Sequence, residues 1–129
     1  MTNWFVHGDE IWISISPYQE DTNVAVADGL DMIPIGFAGN LYEVVQFAGD
    51  AGTTGTQEVQ VRRRRVAAEV DMLSTKSVLT AGDQFTDSAV IDAANDDVIE
   101  GDRLFIDVDT VNTTPCKGLS MLLKFKRTD

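Results

Sequence analysis

The residues best suited to chemistry are carboxylates. The stretch Asn95-Asp96-Asp97-Val98-Ile99-Glu100-Gly101-Asp102, followed by Asp107 and Asp109, is the densest acidic group in the chain. Calcium takes six to eight oxygen ligands, several of them carboxylates, so such a stretch invites comparison with a calcium loop. The EF-hand spacing fails, because the third position counted from Asp96 is Val98. The plainer reading is a polar connection leading into a strand whose outward face carries Asp107 and Asp109. On a strand, residues two apart share a face roughly 6 to 7 Å from one another, close to the spacing of a glycosidase pair. One of the two must also be desolvated to act as proton donor, and an exposed acidic face does not supply that. No metal, cofactor or catalytic residue is expected here.

Other reactive types are poorly placed for catalysis. His7 stands beside Asp9 and Glu10, but no serine or cysteine lies in a nucleophile context and there is no G-x-S-x-G elbow. Cys116 sits between Pro115 and Lys117, and a single cysteine builds neither an internal disulfide nor a thiolate zinc site. Gly52-Thr53-Thr54-Gly55 lacks the lysine of a phosphate-binding loop and precedes a strand pattern, so it reads as a turn. Asn112-Thr113-Thr114 has the form of a glycosylation acceptor and is read as coincidence.

Two groups point instead to contacts. Arg62-Arg63-Arg64-Arg65 is the single basic run. In a strand its guanidinium groups alternate between faces, so it makes no flat phosphate stripe, and it lacks interleaved aromatics. Its functional reading is a set of forked salt bridges to acids of a neighbouring subunit or partner. Its plain reading is a solvated strand end that offsets nearby acids. The aromatics Trp4, Phe5, Trp12 and Tyr18 cluster in sequence, with Trp12 on the face opposite Ile11, Ile13 and Ile15. Three roles fit Trp12: an anchor at an interface, ordinary core, or a plate on which a sugar stacks.

The elements that must position these groups are strands. Alternation marks Ile11 to Ile15, ended by Pro17; Ile33 to Phe37, before a Gly39-Asn40 turn; Leu41 to Phe47; Thr56 to Arg63; Val78 to Thr80; Leu104 to Val108; and Leu119 to Phe125. Val66 to Leu73 fits one or two helical turns or a short strand, and Val90 to Asn95 one helical turn. Strands about ten residues apart, joined by Gly, Asp, Asn and Thr, predict an all-β, jelly-roll-like antiparallel β-sandwich. The expected organisation is one domain over residues 11–129, with residues 1–10 as an N-terminal arm.

The 129 residues, 43% hydrophobic and 24% charged, suit one globular domain. MTNWFVHGDE has neither the basic nor the apolar region of a secretory signal, and no run approaches the length of a membrane helix, so no membrane partner is expected. Net charge is -11, and residues 1–61 hold nine acids without one Lys or Arg. Such a chain repels nucleic acid at long range. Its charge asymmetry suits association of copies, and its acidity suits a protein concentrated or displayed on a surface.

The segments VDMLSTKSVLTAGDQF and AVIDAANDDVIEGDRLFIDVDTVNTTPCKGLSMLLKF resemble a pattern of small tailed-phage virion proteins. There a DMLST segment precedes a strand, then NDDV and GD, an IDVD strand and a final strand opened by KGL. The resemblance covers about residues 54–125, including Val59 to Arg65. It implies a jelly-roll sandwich, commonly a homotrimer, on the virion surface as capsid decoration (cement) protein, head fibre or fibre tip, and it implies no catalytic residue. The expected partner is then the major capsid protein, and the expected location is the capsid surface after synthesis in the host cytoplasm. Trp4, Phe5, Trp12, Arg62, Arg63, Arg64 and Arg65 are the expected subunit or capsid contacts. The alternative is a receptor-binding tail or fibre tip that recognises host glycans through Trp4, Trp12 and Tyr18. Gly101-Asp102 and Lys117-Gly118 are expected as turns into the last two strands.

Overall fold

The computed structural model describes residues 2–129. Thirteen strands follow in order: β1 (Thr2–His7), β2 (Glu10–Asn23), β3 (Ala27–Pro34), β4 (Gly39–Phe47), β5 (Thr56–Arg65), β6 (Ala68–Asp71), β7 (Leu73–Thr75), β8 (Ser77–Thr80), β9 (Phe85–Thr86), β10 (Val90–Ile91), β11 (Asp97–Val98), β12 (Arg103–Thr110) and β13 (Lys117–Arg127). All pairings are antiparallel, and the described residues contain no helix.

The larger sheet runs β1-β2-β13-β4, with β9 and β11 sharing the far side of β4. The smaller runs β3-β12-β5, with β6 and β8 sharing the far side of β5. From β2 to β5 successive strands therefore alternate between the sheets, and β12 to β13 crosses over again, which is the interleaving of a jelly roll. A short β7–β10 pair flanks them.

The inward positions of each strand fill the space between sheets. Ile11, Ile13, Ile15, Leu119, Met121, Leu123 and Phe125 from one sheet meet Ile33, Val59, Val61, Leu104, Ile106 and Val108 from the other, all buried in one cluster. A polar bridge also crosses the core. Gln57 Nε2 donates to Gln46 Oε1 at 2.7 Å, and Gln46 Nε2 donates to Ser77 Oγ at 2.9 Å, all three residues having no exposed surface. Gln57 Oε1 has no partner, but the two bonds between buried side chains favour one registration of the two sheets.

Several local expectations change. Pro17 does not end its strand: Ile15 pairs with Met121 and Tyr18 with Leu119, so Ser16 and Pro17 together oppose Ser120 in a bulge that tolerates the missing N–H. Gly39 and Asn40 open β4 rather than forming a turn: they pair with Arg127 and Lys126 of β13, and Gly39 lies so close to the Lys126 carbonyl that a Cβ there would clash. The strand expected over Ile33 to Phe37 ends at Pro34 and begins earlier, at Ala27. Gly118 lies inside β13 with φ of 76°, packed against the backbone of Gln19 and Glu20. The segment after Val66 is the strand β6, and Val90–Ile91 is the strand β10 rather than a helical turn. Residues 2–7, expected within an arm, form the edge strand β1, paired along its whole length with β2; residue 1 lies outside the described residues.

Candidate functional site

Strand parity decides what the outer face of the larger sheet presents. Phe5, Trp12, Lys124 and Glu43 stand opposite one another across β1, β2, β13 and β4. One step along lie Asn3, Ser14, Leu122 and Val45, and one further Ser120, Phe47 and Phe85. Phe5 and Phe47 are about half exposed, at 48% and 41%, and Phe85 more so. Phe47 and Phe85 stack at 6.3 Å between ring centroids. Between these rings runs a groove of about 350 Å³, lined by Phe5, His7, Trp12, Ser14, Phe47, Ser120 and Leu122 among others. It continues past Phe47 and Ser120 into a second depression of about 390 Å³, beside Ser16 and Tyr18. Ser16 and Ser120 hydroxyls meet at 2.7 Å on its floor.

Trp12 is held in place by its neighbours. Its indole N–H donates to Glu10 Oε1 and to the Tyr42 hydroxyl, each at 3.2 Å, and the Lys124 ammonium sits 4.3 Å from its ring centroid. The Tyr42 hydroxyl also donates to Glu10. These two donors hold the Glu10 carboxyl below its usual range, while burial and the Glu10 anion push the Tyr42 phenol up. The structure thus places Trp12 on the outer face as a fixed plate, and not in the core. Trp4 does not join it. Trp4 points to the inner side of β1, edge-on to Phe37 at 5.8 Å, and Tyr18 lies past the bulge, with its hydroxyl donating to Ala25 O at 3.3 Å. Of the expected aromatic group, Phe5 and Trp12 share a site.

The arginine run splits between the two faces as the strand requires, and each arginine meets acids of its own chain. On one side Arg62 forks onto Asp107 at 2.9 and 3.2 Å and bonds Glu69 at 2.7 Å, with Arg64 3.7 Å from Glu69. On the other, Arg63 is 7% exposed and reaches Asp97 Oδ1 at 3.0 Å and the Asp97 carbonyl. Arg65 forks onto the buried Asp102 at 2.9 and 2.8 Å and bonds Asp97 at 3.0 Å. Asp97 and Asp102 come from the acidic stretch read above as a candidate metal loop, so its carboxylates face guanidinium groups. Among the described residues no group of three or more His, Cys, Asp or Glu side chains is arranged to hold a metal.

The two aspartates of the outward pair take different partners. Asp107 is buried, at 6%, because β12 is the middle strand of its sheet and Arg62 and Gly29 N close over the carboxylate, the latter at 2.7 Å. Asp109 pairs with Lys76 at 3.0 Å. Each carboxylate has a cation against it, Arg62 at Asp107 and Lys76 at Asp109, whereas a proton donor needs an apolar, unpaired setting.

A pH prediction follows from the same network. Burial acts to raise Asp97 and Asp102, but the Arg65 hydrogen bonds, aided at Asp102 by Ile99 N–H, hold both below the usual carboxylate range. A carboxyl lowered on folding contributes stability that is present above its unfolded value near pH 4 and is lost as pH falls through its folded value. Denaturation midpoints measured downward from about pH 5 should fall steeply below about pH 4, and less steeply in Asp102→Asn. An equal slope in both would show that this pair carries no acid sensitivity.

Sequence reasoning missed Leu122, Val45, Phe47 and Phe85. Leu122 was visible as an apolar residue at an outward position of the last strand, but only the pairing of β13 with β4 and of β4 with β9 brings the four together. No family model matches the chain, and no curated protein matches it.

Proposed function

We propose that the protein is a structural component of a phage virion surface, a capsid decoration (cement) protein that acts without chemistry and docks through the outer face of its larger sheet. The observation that carries this reading is the apolar stripe Phe5, Trp12, Leu122, Phe47 and Phe85 on a strand-paired, rigid face. Exposed apolar patches edged by polar residues mark interaction surfaces. The resemblance of residues 54–125 to small virion proteins supplies the partner class and a threefold assembly. Charge supports it as well, since a chain of net charge -11 stays soluble at high copy number and avoids the packaged genome. Binding only the mature lattice would stabilise that state by mass action.

The arginines have partners inside the chain, so docking rests on apolar contact and changes little with salt. The test is co-sedimentation of the labelled protein with mature capsids that lack it, in parallel with host cells, at low and high salt. Saturable pelleting with capsids is expected at both, weakened about 10- to 100-fold by Trp12→Ala or Leu122→Glu, as for a central aromatic or apolar anchor. Unchanged pelleting in both variants would remove this face from the contact. Pelleting with cells alone would instead favour a receptor-binding tip. For that reading the feature is the serine-floored groove beside Trp12, whose ring and hydroxyls match the mixed faces of a sugar.

A further inference from the structure

Sheet edges expose unpaired backbone groups, and natural proteins blunt them with charge, proline, bulges or brevity. Most edges of this molecule are blunted. β3 carries Asp28, Asp31 and Pro34 and is broken by register shifts, with Gly29 and Asp31 at positive φ. β6 spans four residues with two acids, and β8 spans four. β9, β10 and β11 span two each, and β7 three. β1 differs on every count: six residues, TNWFVH, with no acid, lysine, arginine or proline and an unbroken register from Thr2–Ile15 to His7–Glu10. Trp4, Phe5 and Val6 are exposed along it, at 41%, 48% and 62%.

The hairpin fixes which backbone groups are free. Gly8 and Asp9 form a two-residue loop with Gly8 at φ of 60°, so His7 and Glu10 are the hydrogen-bonded closing pair. Bonded and non-bonded pairs alternate along an antiparallel ladder. Phe5 therefore turns its N–H and C=O toward β2, while Thr2, Trp4 and Val6 turn theirs to the open edge.

We propose that β1 is an assembly edge, on which two copies of the chain pair their β1 strands antiparallel about a twofold axis through Phe5. In that register Phe5 meets Phe5 of the second copy on the outer face, each Trp4 meets Val6 on the inner face, and each Asn3 meets His7. Trp4 and Val6 exchange the free backbone bonds. Moving the axis to Trp4 would set Phe5 against Asn3 and Val6 against Thr2, so apolar side chains would lose apolar partners.

Charge selects the occupant. Two copies at -11 repel over most of their surface, but residues 2–8 carry no acid. The nearest, Asp9, lies eight residues from its counterpart across the axis, about 27 Å by strand rise. That exceeds the Debye length of about 8 Å at physiological salt. Phe5 of the second copy also extends the outer-face groove, so that each groove is completed at its β1 side by the other chain. An edge contact of this kind closes with two copies. It is thus distinct from the threefold contact proposed above and would join trimers in pairs where trimers form.

Cysteine cross-linking of the isolated protein tests the register, because native Cys116 is buried. Phe5→Cys should give a covalent two-chain species on mild oxidation, since a non-bonded pair holds Cα atoms about 4.5 Å apart, within disulfide reach. Val6→Cys should not, its two Cα atoms standing about 8 Å apart, beyond that reach. In parallel, sedimentation velocity should find an even number of chains, halved by Val6→Lys with circular dichroism unchanged. Failure of Phe5→Cys to cross-link, equal cross-linking from both positions, or a mass that Val6→Lys leaves unchanged would each overturn the pairing. None of these readouts involves capsids, so they fail independently of the decoration reading.

Discussion

Replacing Arg65 by alanine should lower folding stability by about 3 kcal/mol, the lower end of what is lost when one member of a buried ion pair is removed. The reason lies in Asp102 more than in Arg65. Asp102 is 1% exposed, and its carboxylate is satisfied by the Arg65 fork and by Ile99 N–H at 2.9 Å. Without the guanidinium, a buried anion keeps one backbone donor and loses its counter-charge. The Arg65 side chain is itself 34% exposed, so water can enter the vacated space, which sets the estimate low in its range. Asp102→Asn in the Arg65→Ala background should recover part of the loss, because the unpaired charge is gone. The neighbouring Arg64, half exposed and 3.7 Å from Glu69, should cost about 0.5 kcal/mol or less as alanine. Urea midpoints for the three variants settle the matter: similar values for Arg64→Ala and Arg65→Ala would mean that the Asp102 pair adds nothing beyond a surface contact.

That contrast within one tetrapeptide shows where sequence reading stops. Alternation of Leu104, Ile106 and Val108, and of Leu119 to Phe125, located the two central strands because side-chain parity is a local property. The same parity correctly split the arginines between two faces. What each face meets is not local. Asp107 comes to Arg62 through β12–β5 pairing, and Asp97 and Asp102 come from a connection more than 30 residues away. A reading confined to spacing therefore left open whether these charges meet acids of the same chain or of a partner. The edge strand went unread for a related reason: Thr2 to His7 lacks the apolar–polar alternation of a half-buried strand, because neither of its faces is fully covered. Pro17 hid the second half of β2 until the bulge opposite Ser120 supplied a place for it.

Truncating Phe125 to alanine should cost about 3 to 5 kcal/mol, the range for emptying a fully buried aromatic site. Phe125 has no exposed surface, and its ring meets Phe37 edge-on at 5.4 Å. Phe37 in turn meets Trp4 edge-on at 5.8 Å, so three rings lead from the C-terminal end of β13 to the inner face of the edge strand. A domain of this size holds a margin of about 5 to 15 kcal/mol, so the variant remains folded only if that margin lies above the loss. Phe125→Leu keeps most of the volume and should cost less, about 1 to 1.5 kcal/mol. The chain of rings adds a second consequence that a simple cavity would not. With Phe125 gone, Phe37 is free to relax into the space and Trp4 loses its support, so amide exchange should quicken in β1 more than in β5, whose core contacts are on the other sheet. Under conditions where both variants stay folded, faster exchange confined to the neighbours of residue 125 would break the proposed link between core and edge. Faster exchange that extends to the β2-bonded amides of Phe5 and His7 would instead tie the readiness of β1 to pair with a second copy to the packing of the sandwich interior.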